Sequence, residues 1–147
     1  MKIFLDTNVL ASAAATRGLC ADVLRLVFAS HQLFISEQVL KELKSVLKLK
    51  FGVSQDLIDD FIWLLQQDTA LVEPAKLPRV ELQDKDDISI LAAAIAAGEE
   101  VLVTGDKELL HLGHVEDLEI LSPRQFWEKL KAQQQRRAGR GKPRRSR

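Results

Sequence analysis

The stretch Lys2-Ile3-Phe4-Leu5-Asp6 decides the predicted fold. Three consecutive apolar residues that end at an acid predict a short buried strand with a polar group at its carboxyl end. The stretch Val101-Leu102-Val103-Thr104-Gly105-Asp106 has a similar form. Because segments with helical spacing of apolar residues, such as Gln55–Gln67, lie between such strands, we expect an α/β fold: a parallel sheet covered by helices on both faces. Ligands of such sheets bind at the carboxyl ends of the strands.

Further elements continue this alternation along the chain. The other predicted strands are Leu33–Ser36, Ala70–Glu73 and Leu118–Leu121. The other predicted helices are Ala21–Ser30, Glu37–Lys50, Asp87–Ala97 and a short helix after Asp106. A last helix is predicted from its start signal, in which Ser122 is the N-cap, Pro123 the first helical residue and Gln125 the capping-box partner.

The charged residues are segregated along the chain, although the formal net charge of the 147 residues is zero. All 21 acidic residues lie between Asp6 and Glu128. Eight of the 21 basic residues lie in 131–147, which leaves 13 basic and 21 acidic residues before them, a net charge of −8. We therefore expect one domain over residues 1–130, followed by a basic tail over 131–147 whose low apolar content predicts disorder from about Gln133.

Several classes of protein are excluded by what the sequence lacks. Cys20 is the only cysteine, which excludes an internal disulfide framework. The start of the chain does not have the form of a secretory signal, and the longest uncharged run, Ile88–Gly98, is shorter than the ~20 residues of a membrane span. His111 and His114 have no nearby ligands for a zinc site, and Asn8 stands where a dehalogenase-type phosphatase needs a second aspartate. We expect a cytoplasmic protein without a membrane partner.

Two acids follow predicted strands. Asp6 closes the first strand, and Asp106 follows the strand at 101–103. In a parallel sheet both lie at the same edge, but they converge only if their strands are neighbours, which the sequence does not show. The alternative for each is an aspartate that caps the next helix or forms a turn.

Glu42 lies on the apolar face of its predicted helix. At about 100° per residue it falls between Leu49 and Val46, whereas Glu37 falls among the lysines of the opposite face and is predicted to face solvent. A carboxylate turned toward the interior is costly unless it is paired or binds a metal. The alternative is an edge residue whose carboxylate reaches solvent.

A third acidic cluster, Asp84-Lys85-Asp86-Asp87, precedes a nearly all-apolar helix. Capping and the helix dipole favour acids there, but a cap needs only one of the three. Asp87 is the best candidate to point inward, and a solvated acidic loop is the alternative. Interior carboxylates at Asp6, Glu42, Asp87 and Asp106 would repel one another, which a divalent cation relieves, and all-oxygen ligation suits Mg²⁺ or Mn²⁺.

The sequence resembles the PIN-domain family over about residues 1–127. The stretches that carry the resemblance are Ile3 to Leu10, Ser36 to Leu47 with Glu42, Asp84 to Asp87 before a Leu/Ala-rich helix, and Leu102 to Leu110. It is strongest to the bacterial and archaeal VapC-like members, which are toxins of toxin–antitoxin systems. Lys85 departs from the family pattern, in which many relatives have proline, and the basic tail is not a family feature.

The resemblance implies a three-layer α/β/α fold with a central parallel sheet of about four to five strands. It also implies an acidic quartet of Asp6, Glu42, Asp87 and Asp106 that binds one or two Mg²⁺ or Mn²⁺ ions and hydrolyses single-stranded RNA. The polar residues that would support this quartet are Thr7, Asn8, Asp84 and Thr104. A toxin role implies a cognate antitoxin, and many relatives are homodimers.

Two questions stay open at the level of sequence. One is whether the domain cleaves RNA or is a non-catalytic PIN-like module that binds RNA or a protein. The other is whether the tail holds RNA near the acidic body or is only a solubilising extension. The tail residues that would contact RNA are Arg136, Arg137, Arg140, Lys142, Arg144 and Arg145.

Overall fold

The computed structural model describes residues 1–72, 91–95, 98 and 100–141. The strands are β1 (Lys2–Leu5), β2 (Gln32–Ser36), β3 (Thr69–Val72), β4 (Val101–Val103), β5 (His114–Val115) and β6 (Leu118–Leu121). The helices are α1 (Thr7–Ala15), α2 (Leu19–Ser30), α3 (Glu37–Leu49), α4 (Gln55–Asp68), α5 (91–95), α6 (Lys107–Leu112) and α7 (Pro123–Gly141).

The strands form one sheet in the order β3-β2-β1-β4-β6-β5. Strand β1 lies at its centre, with Ile3 opposite Leu33 of β2 on one side and opposite Val101 of β4 on the other. The strand pairs β3–β2, β2–β1, β1–β4 and β4–β6 are parallel. The pair β6–β5 at the edge is antiparallel. The predicted parallel α/β fold is confirmed. Strand β5 was not predicted because two residues are too short to show a periodic pattern.

The central strands are buried on both faces. Ile3, Phe4 and Leu5 are fully buried although successive side chains of a strand point to opposite faces. Helices therefore cover both faces of the sheet, which is why β1 and β4 have continuous apolar runs instead of alternating ones. Among the helices, α1 packs against α2 and α3, and α7 packs against α2 and β6.

Helix α1 is not among the predicted elements. It follows β1 directly, with Asp6 as its N-cap, and Val9 and Leu10 are buried. The segment is rich in alanine and has few large apolar residues, so its periodicity is weak. Tertiary packing against two other helices, and not the pattern of the segment, stabilises α1.

Helix α7 begins as predicted and ends later. The backbone N–H of Ser122 donates to Gln125 Oε1 (2.9 Å), and the N–H of Gln125 donates to Ser122 Oγ (3.1 Å), which is the predicted capping box. Phe126 and Leu130 anchor the helix in the core. The helix runs to Gly141, past the point from which disorder is predicted, because Gln, Arg and Ala favour helix and extending an anchored helix has no nucleation cost. Disorder of the tail stays a prediction.

Some predictions lie outside the described residues. Residues 91–95 are helical, in agreement with the predicted helix Asp87–Ala97. The other residues of that predicted helix are not described. Residues 142–147 are not described either, and the division of the chain at residue 130 stays a prediction. Within the described part of the chain, no helix has the length and apolar character that crossing a membrane requires.

Candidate active site

Asp6 and Asp106 lie at the carboxyl edge of two strands that are hydrogen-bonded neighbours. Leu5 of β1 is opposite Val103 of β4, and the backbone N–H of Asp6 donates to the carbonyl oxygen of Val103 (2.9 Å). The condition that the sequence left open, adjacency of the two strands, is therefore met. The first turns of α1 and α6 begin at this edge of the sheet.

The side chain of Thr104 connects the two acids. It is fully buried, and its hydroxyl donates to Asp6 Oδ2 (2.7 Å). The hydroxyl oxygen of Thr104 also accepts a hydrogen bond from the backbone N–H of Asp106 (3.0 Å). Thr104 thus fixes the rotamer of the Asp6 carboxylate and the position of the Asp106 backbone together.

Both acids also cap helices. Asp6 Oδ1 accepts from the N–H of Thr7 (2.7 Å) at the start of α1, and Asp106 Oδ1 accepts from the N–H of Leu109 (3.1 Å) in α6. The sequence offered helix capping as the alternative role of each aspartate, and both aspartates do cap a helix. The same two aspartates also lie together at the edge of the sheet, so the two roles are compatible. A cap holds each carboxylate in one orientation, which a ligand site also requires.

Glu42 approaches the same place from α3. Its side chain is half-buried; Oε2 accepts from the hydroxyl of Thr7 (2.9 Å), and Oε1 accepts from Gln38 Nε2 (3.0 Å). Glu37 on the same helix is exposed, as predicted. Since Thr7 is buried at the first residue of α1, its hydroxyl holds Glu42 next to Asp6.

The electrostatics of the site are dominated by negative charge. Burial of Asp6, which is 5% exposed, raises the pKa of its carboxyl group above the ordinary value. Hydrogen bonds from Thr104 and Thr7 oppose this rise, and the nearby charges of Glu42 and Asp106 add to it. The ion pairs found among the described residues are Arg25–Asp22 and Lys129–Glu119, and neither includes these acids.

The structure places some predicted site residues and not others. Asp6, Glu42 and Asp106 are brought to one edge of the sheet, with Thr7 and Thr104 bonded to them. Asn8 is exposed, and no hydrogen bond of its side chain to these acids is described. Asp84, Lys85 and Asp87 lie outside the described residues.

Sequence reasoning missed Gln38. Its amide donates to Glu42, which lies four residues later on the same face of α3. The i, i+4 spacing of a glutamine and a glutamate is a recognisable signal for such a pair once Glu42 is placed inward. Gln38 orients the second oxygen of Glu42, whose first oxygen accepts from Thr7.

The donor set fits a hard divalent cation. Its described members are carboxylate and hydroxyl oxygens, the ligands that Mg²⁺ and Mn²⁺ prefer. The buried carboxylate of Asp6 accepts two hydrogen bonds, and the part of the chain that the structure describes offers it no cationic partner. Among the residues that the structure describes, no group of three His, Cys, Asp or Glu side chains is arranged to hold a metal ion. Asp87, the fourth acid of the predicted quartet, lies outside these residues.

The class of protein is defined by a largely parallel α/β sheet with two helix-capping aspartates, the buried Asp6 and the half-buried Asp106, at the carboxyl edge of its central strands. The sequence pattern of the family described as "PIN domain" matches residues 2–108, well over half of the chain. The chain belongs to the PIN-domain family.

Solved structures share this fold. One is VapBC2 from Rickettsia felis bound to a DNA fragment from their promoter, with 20% identity and a TM-score of 0.62 over 83% of this chain and 98% of that one. Another is VapBC-1 from nontypeable Haemophilus influenzae, with 19% identity and a TM-score of 0.60 over 84% of this chain and 99% of that one. Comparison with curated proteins finds no match.

Proposed function

We propose that the protein is a metal-dependent endoribonuclease that cleaves single-stranded RNA as the toxin of a toxin–antitoxin pair. One observation carries the proposal. Asp6 is buried, bridged through Thr104 to Asp106 and through Thr7 to Glu42, at the edge of the sheet where α/β proteins bind their ligands. A buried carboxylate with two further acids beside it lowers the free energy of unfolding, and a catalytic metal site is a reason for a protein to keep such an arrangement.

The residues that would hold one or two Mg²⁺ or Mn²⁺ ions are Asp6, Glu42 and Asp106, together with Asp87. When bound, such an ion activates water for attack on a phosphodiester and neutralises charge on the phosphate and the leaving oxygen. This chemistry gives a 3′-hydroxyl and a 5′-phosphate, and it needs no nucleophilic side chain.

The chain itself contributes orientation. Thr104 and the N–H of Thr7 hold the two oxygens of Asp6, and the hydroxyl of Thr7 and Gln38 hold the two oxygens of Glu42. Partners of this kind around a metal site fix the ligand rotamers and add roughly 10–100-fold to affinity or activity. The N-terminus of α1 at Thr7 places the positive end of a helix dipole beside these charges.

The proposed partner follows from the solved structures that share this fold. Both structures named above are VapBC assemblies, in agreement with a toxin that is paired with an antitoxin. We propose that a cognate antitoxin blocks the acidic edge, that the protein can form a homodimer, and that it acts on RNA in the cytoplasm.

The direct test is cleavage of a single-stranded RNA by the purified full-length protein. We expect cleavage in Mg²⁺ or Mn²⁺ and none in EDTA, with 5′-phosphate ends that an exonuclease specific for such ends degrades. Restoring Mn²⁺ to the EDTA-treated protein should restore cleavage. Equal cleavage with and without metal would contradict the proposal, and binding of RNA without any cleavage would favour a non-catalytic PIN-like module.

Thermal unfolding tests the metal site without any substrate. A metal that binds the folded state at about 100 times its Kd stabilises by roughly 2.7 kcal/mol, which we expect to raise the Tm by roughly 5–10 °C. Asp6→Asn should remove this shift. NaCl at equal ionic strength is the control, and a wild-type Tm that does not respond to millimolar Mg²⁺ or Mn²⁺ would count against the site.

A further inference from the structure

The segment 131–141, here called the basic arm, has four basic residues and no acidic one, and the whole stretch 131–147 has eight basic residues and no acidic one. Its described part continues α7 as far as Gly141, and both Lys131 and Arg136 are exposed on it. The preceding cation, Lys129, is engaged by Glu119 (2.8 Å). Gln133 is half-buried and lines a cavity with Ser30 and His31, so α7 still contacts the body beyond Lys131. From Lys131 onward the sequence has no apolar residue larger than alanine or proline.

The basic arm leaves the body at the amino edge of the sheet. Lys129, Gln133 and Arg136 line a cavity of about 390 Å³ together with Met1, His31 and Glu100. These last three residues directly precede the parallel strands β1, β2 and β4. Asp6 and Asp106 follow β1 and β4, so the basic arm and the acidic site lie at opposite edges.

The distance between the two regions follows from element geometry. Helix α7 starts after Ser122 at the carboxyl edge, and a helix rises about 1.5 Å per residue, so Arg136 lies roughly 20 Å further along it. The described part of the tail therefore lies well away from the acidic residues, and whether the tail holds RNA stays a prediction. A cation this far away is beyond a Debye length at physiological salt, and it does not screen the site.

We propose that the basic arm is a second RNA-binding surface, which holds the backbone of a substrate at the amino edge while another part of the same strand reaches the acidic edge. The choice of RNA as the polyanion rests on the proposed function. Enzymes with such an anchor favour long substrates, because a short oligonucleotide cannot contact both regions. Substrate length is therefore part of the specificity of this protein.

Charge and local chemistry favour RNA on this surface. The body carries a net charge of −8 and repels a polyanion, whereas residues 131–147 carry the compensating +8, four charges of which lie on the basic arm. Lys131 Nζ lies 5.2 Å from the ring centre of the half-buried Trp127, which puts an aromatic ring beside the first cation of the arm. Aromatic rings interleaved with cations are what single-stranded RNA binders use to stack bases and hold phosphates.

The test measures RNA binding by the full-length protein in EDTA on an Asp6→Asn background, so that no cleavage intervenes. The arm variant combines Lys131→Gln, Arg136→Gln and Arg137→Gln. With an RNA of about 16 nucleotides, we expect an affinity loss of roughly tenfold to a hundredfold near 0.1 M salt, and a slope of log K against log salt that is smaller by about 2. The length dependence is measured as cleavage in Mn²⁺ by proteins that keep Asp6: the arm variant should slow cleavage of the long RNA roughly tenfold or more, and that of a trinucleotide by less than about threefold, because three nucleotides held at the acidic edge do not reach the arm.

The matched control removes the same charge from the exposed side of α3 and its C-terminal end, by Lys44→Gln, Lys48→Gln and Lys50→Gln. An arm variant whose affinity and salt slope equal those of this control overturns the proposal. So does an equal loss of cleavage rate for the long RNA and the trinucleotide. If the basic arm instead binds the acidic body of a second copy, sedimentation will show self-association that only the arm variant loses, with RNA affinity unchanged, which also overturns it.

Because binding is measured without metal, the two proposals fail separately. An arm-dependent affinity in a protein that never cleaves RNA would leave the basic arm as an RNA-binding surface and contradict the nuclease. Cleavage that is unaffected by the arm variant at every substrate length would leave the nuclease and contradict the anchor.

Discussion

Asp6→Asn is expected to lower the rate of RNA cleavage by about 10³-fold or more, which corresponds to roughly 4 kcal/mol of transition-state stabilisation. Asp6 is the carboxylate on which the whole site converges: β1 positions it, and Thr7 and Thr104 hold its two oxygens. Asparagine keeps the shape but removes the negative charge that a metal ion requires. The measurement is single-turnover cleavage in Mn²⁺ by the purified variant and the wild type.

The stability of the same variant serves as its folding control. Because burial raises the pKa of Asp6, the folded state holds the proton more tightly than the unfolded chain, and ionised Asp6 lowers the free energy of unfolding. The loss of stability is absent at a pH below the pKa of Asp6 in the unfolded chain, and it is complete at a pH above the pKa of Asp6 in the folded protein. In metal-free buffer, the stability of Asp6→Asn relative to wild type should therefore rise as the pH increases from about 4 to 7.

Two results would contradict the role of Asp6. Unchanged cleavage in a folded Asp6→Asn protein would exclude Asp6 from the metal site. A stability difference between variant and wild type that stays flat over this pH range would mean that the carboxylate of Asp6 is not held in a desolvated state. A variant that is inactive and also unfolded at neutral pH would contradict the expected direction of the stability change.

The sequence predicted the two acids at the sheet edge because one physical rule governs both. A buried parallel strand is a continuous apolar run, and the residue that ends it lies at the carboxyl edge, so Asp6 and Asp106 could be placed there from pattern alone. What pattern could not show is that β1 and β4 are neighbours. Adjacency of strands 95 or more residues apart is set by the packing of the whole sheet, and the bridge through Thr104 depends on it.

Other features escaped prediction because their cause is tertiary or their local signal is mixed. Leu49 belongs by periodicity to the apolar arc of α3 but is 79% exposed, because it is the last residue of that helix. Helix α1 lacks a strong pattern and is stabilised by α2 and α3. The extension of α7 to Gly141 was not predicted, because the composition after Gln133 is typical of disorder while Gln, Arg and Ala are also good helix formers that continue an anchored helix. The position of Asp87 stays a prediction.

Glu42→Gln and Glu37→Gln form a matched pair on one helix. Both substitutions remove one negative charge from α3, and glutamine preserves helix propensity and side-chain size. Glu42 accepts hydrogen bonds from Thr7 and Gln38 beside Asp6, whereas Glu37 is exposed. We expect Glu42→Gln to reduce cleavage by roughly 10²–10³-fold and to reduce the Tm shift caused by Mn²⁺, as loss of one ligand carboxylate should. Glu37→Gln should stay within about twofold of wild type, the range expected of an exposed position.

The comparison of Glu42→Gln with Glu37→Gln shows whether Glu42 acts as a metal ligand or only through its negative charge. If the acidic cluster acted only through its summed field, removing either glutamate would have a similar and salt-dependent effect, because charges at the surface are screened within about 8–10 Å. If Glu42 binds the metal, its loss raises the Mn²⁺ concentration needed for half-maximal cleavage and Glu37→Gln leaves it unchanged. Equal effects of the two substitutions would remove Glu42 from the site, and they would leave Asp6 and Asp106, joined through Thr104, as the part of the site that the structure supports.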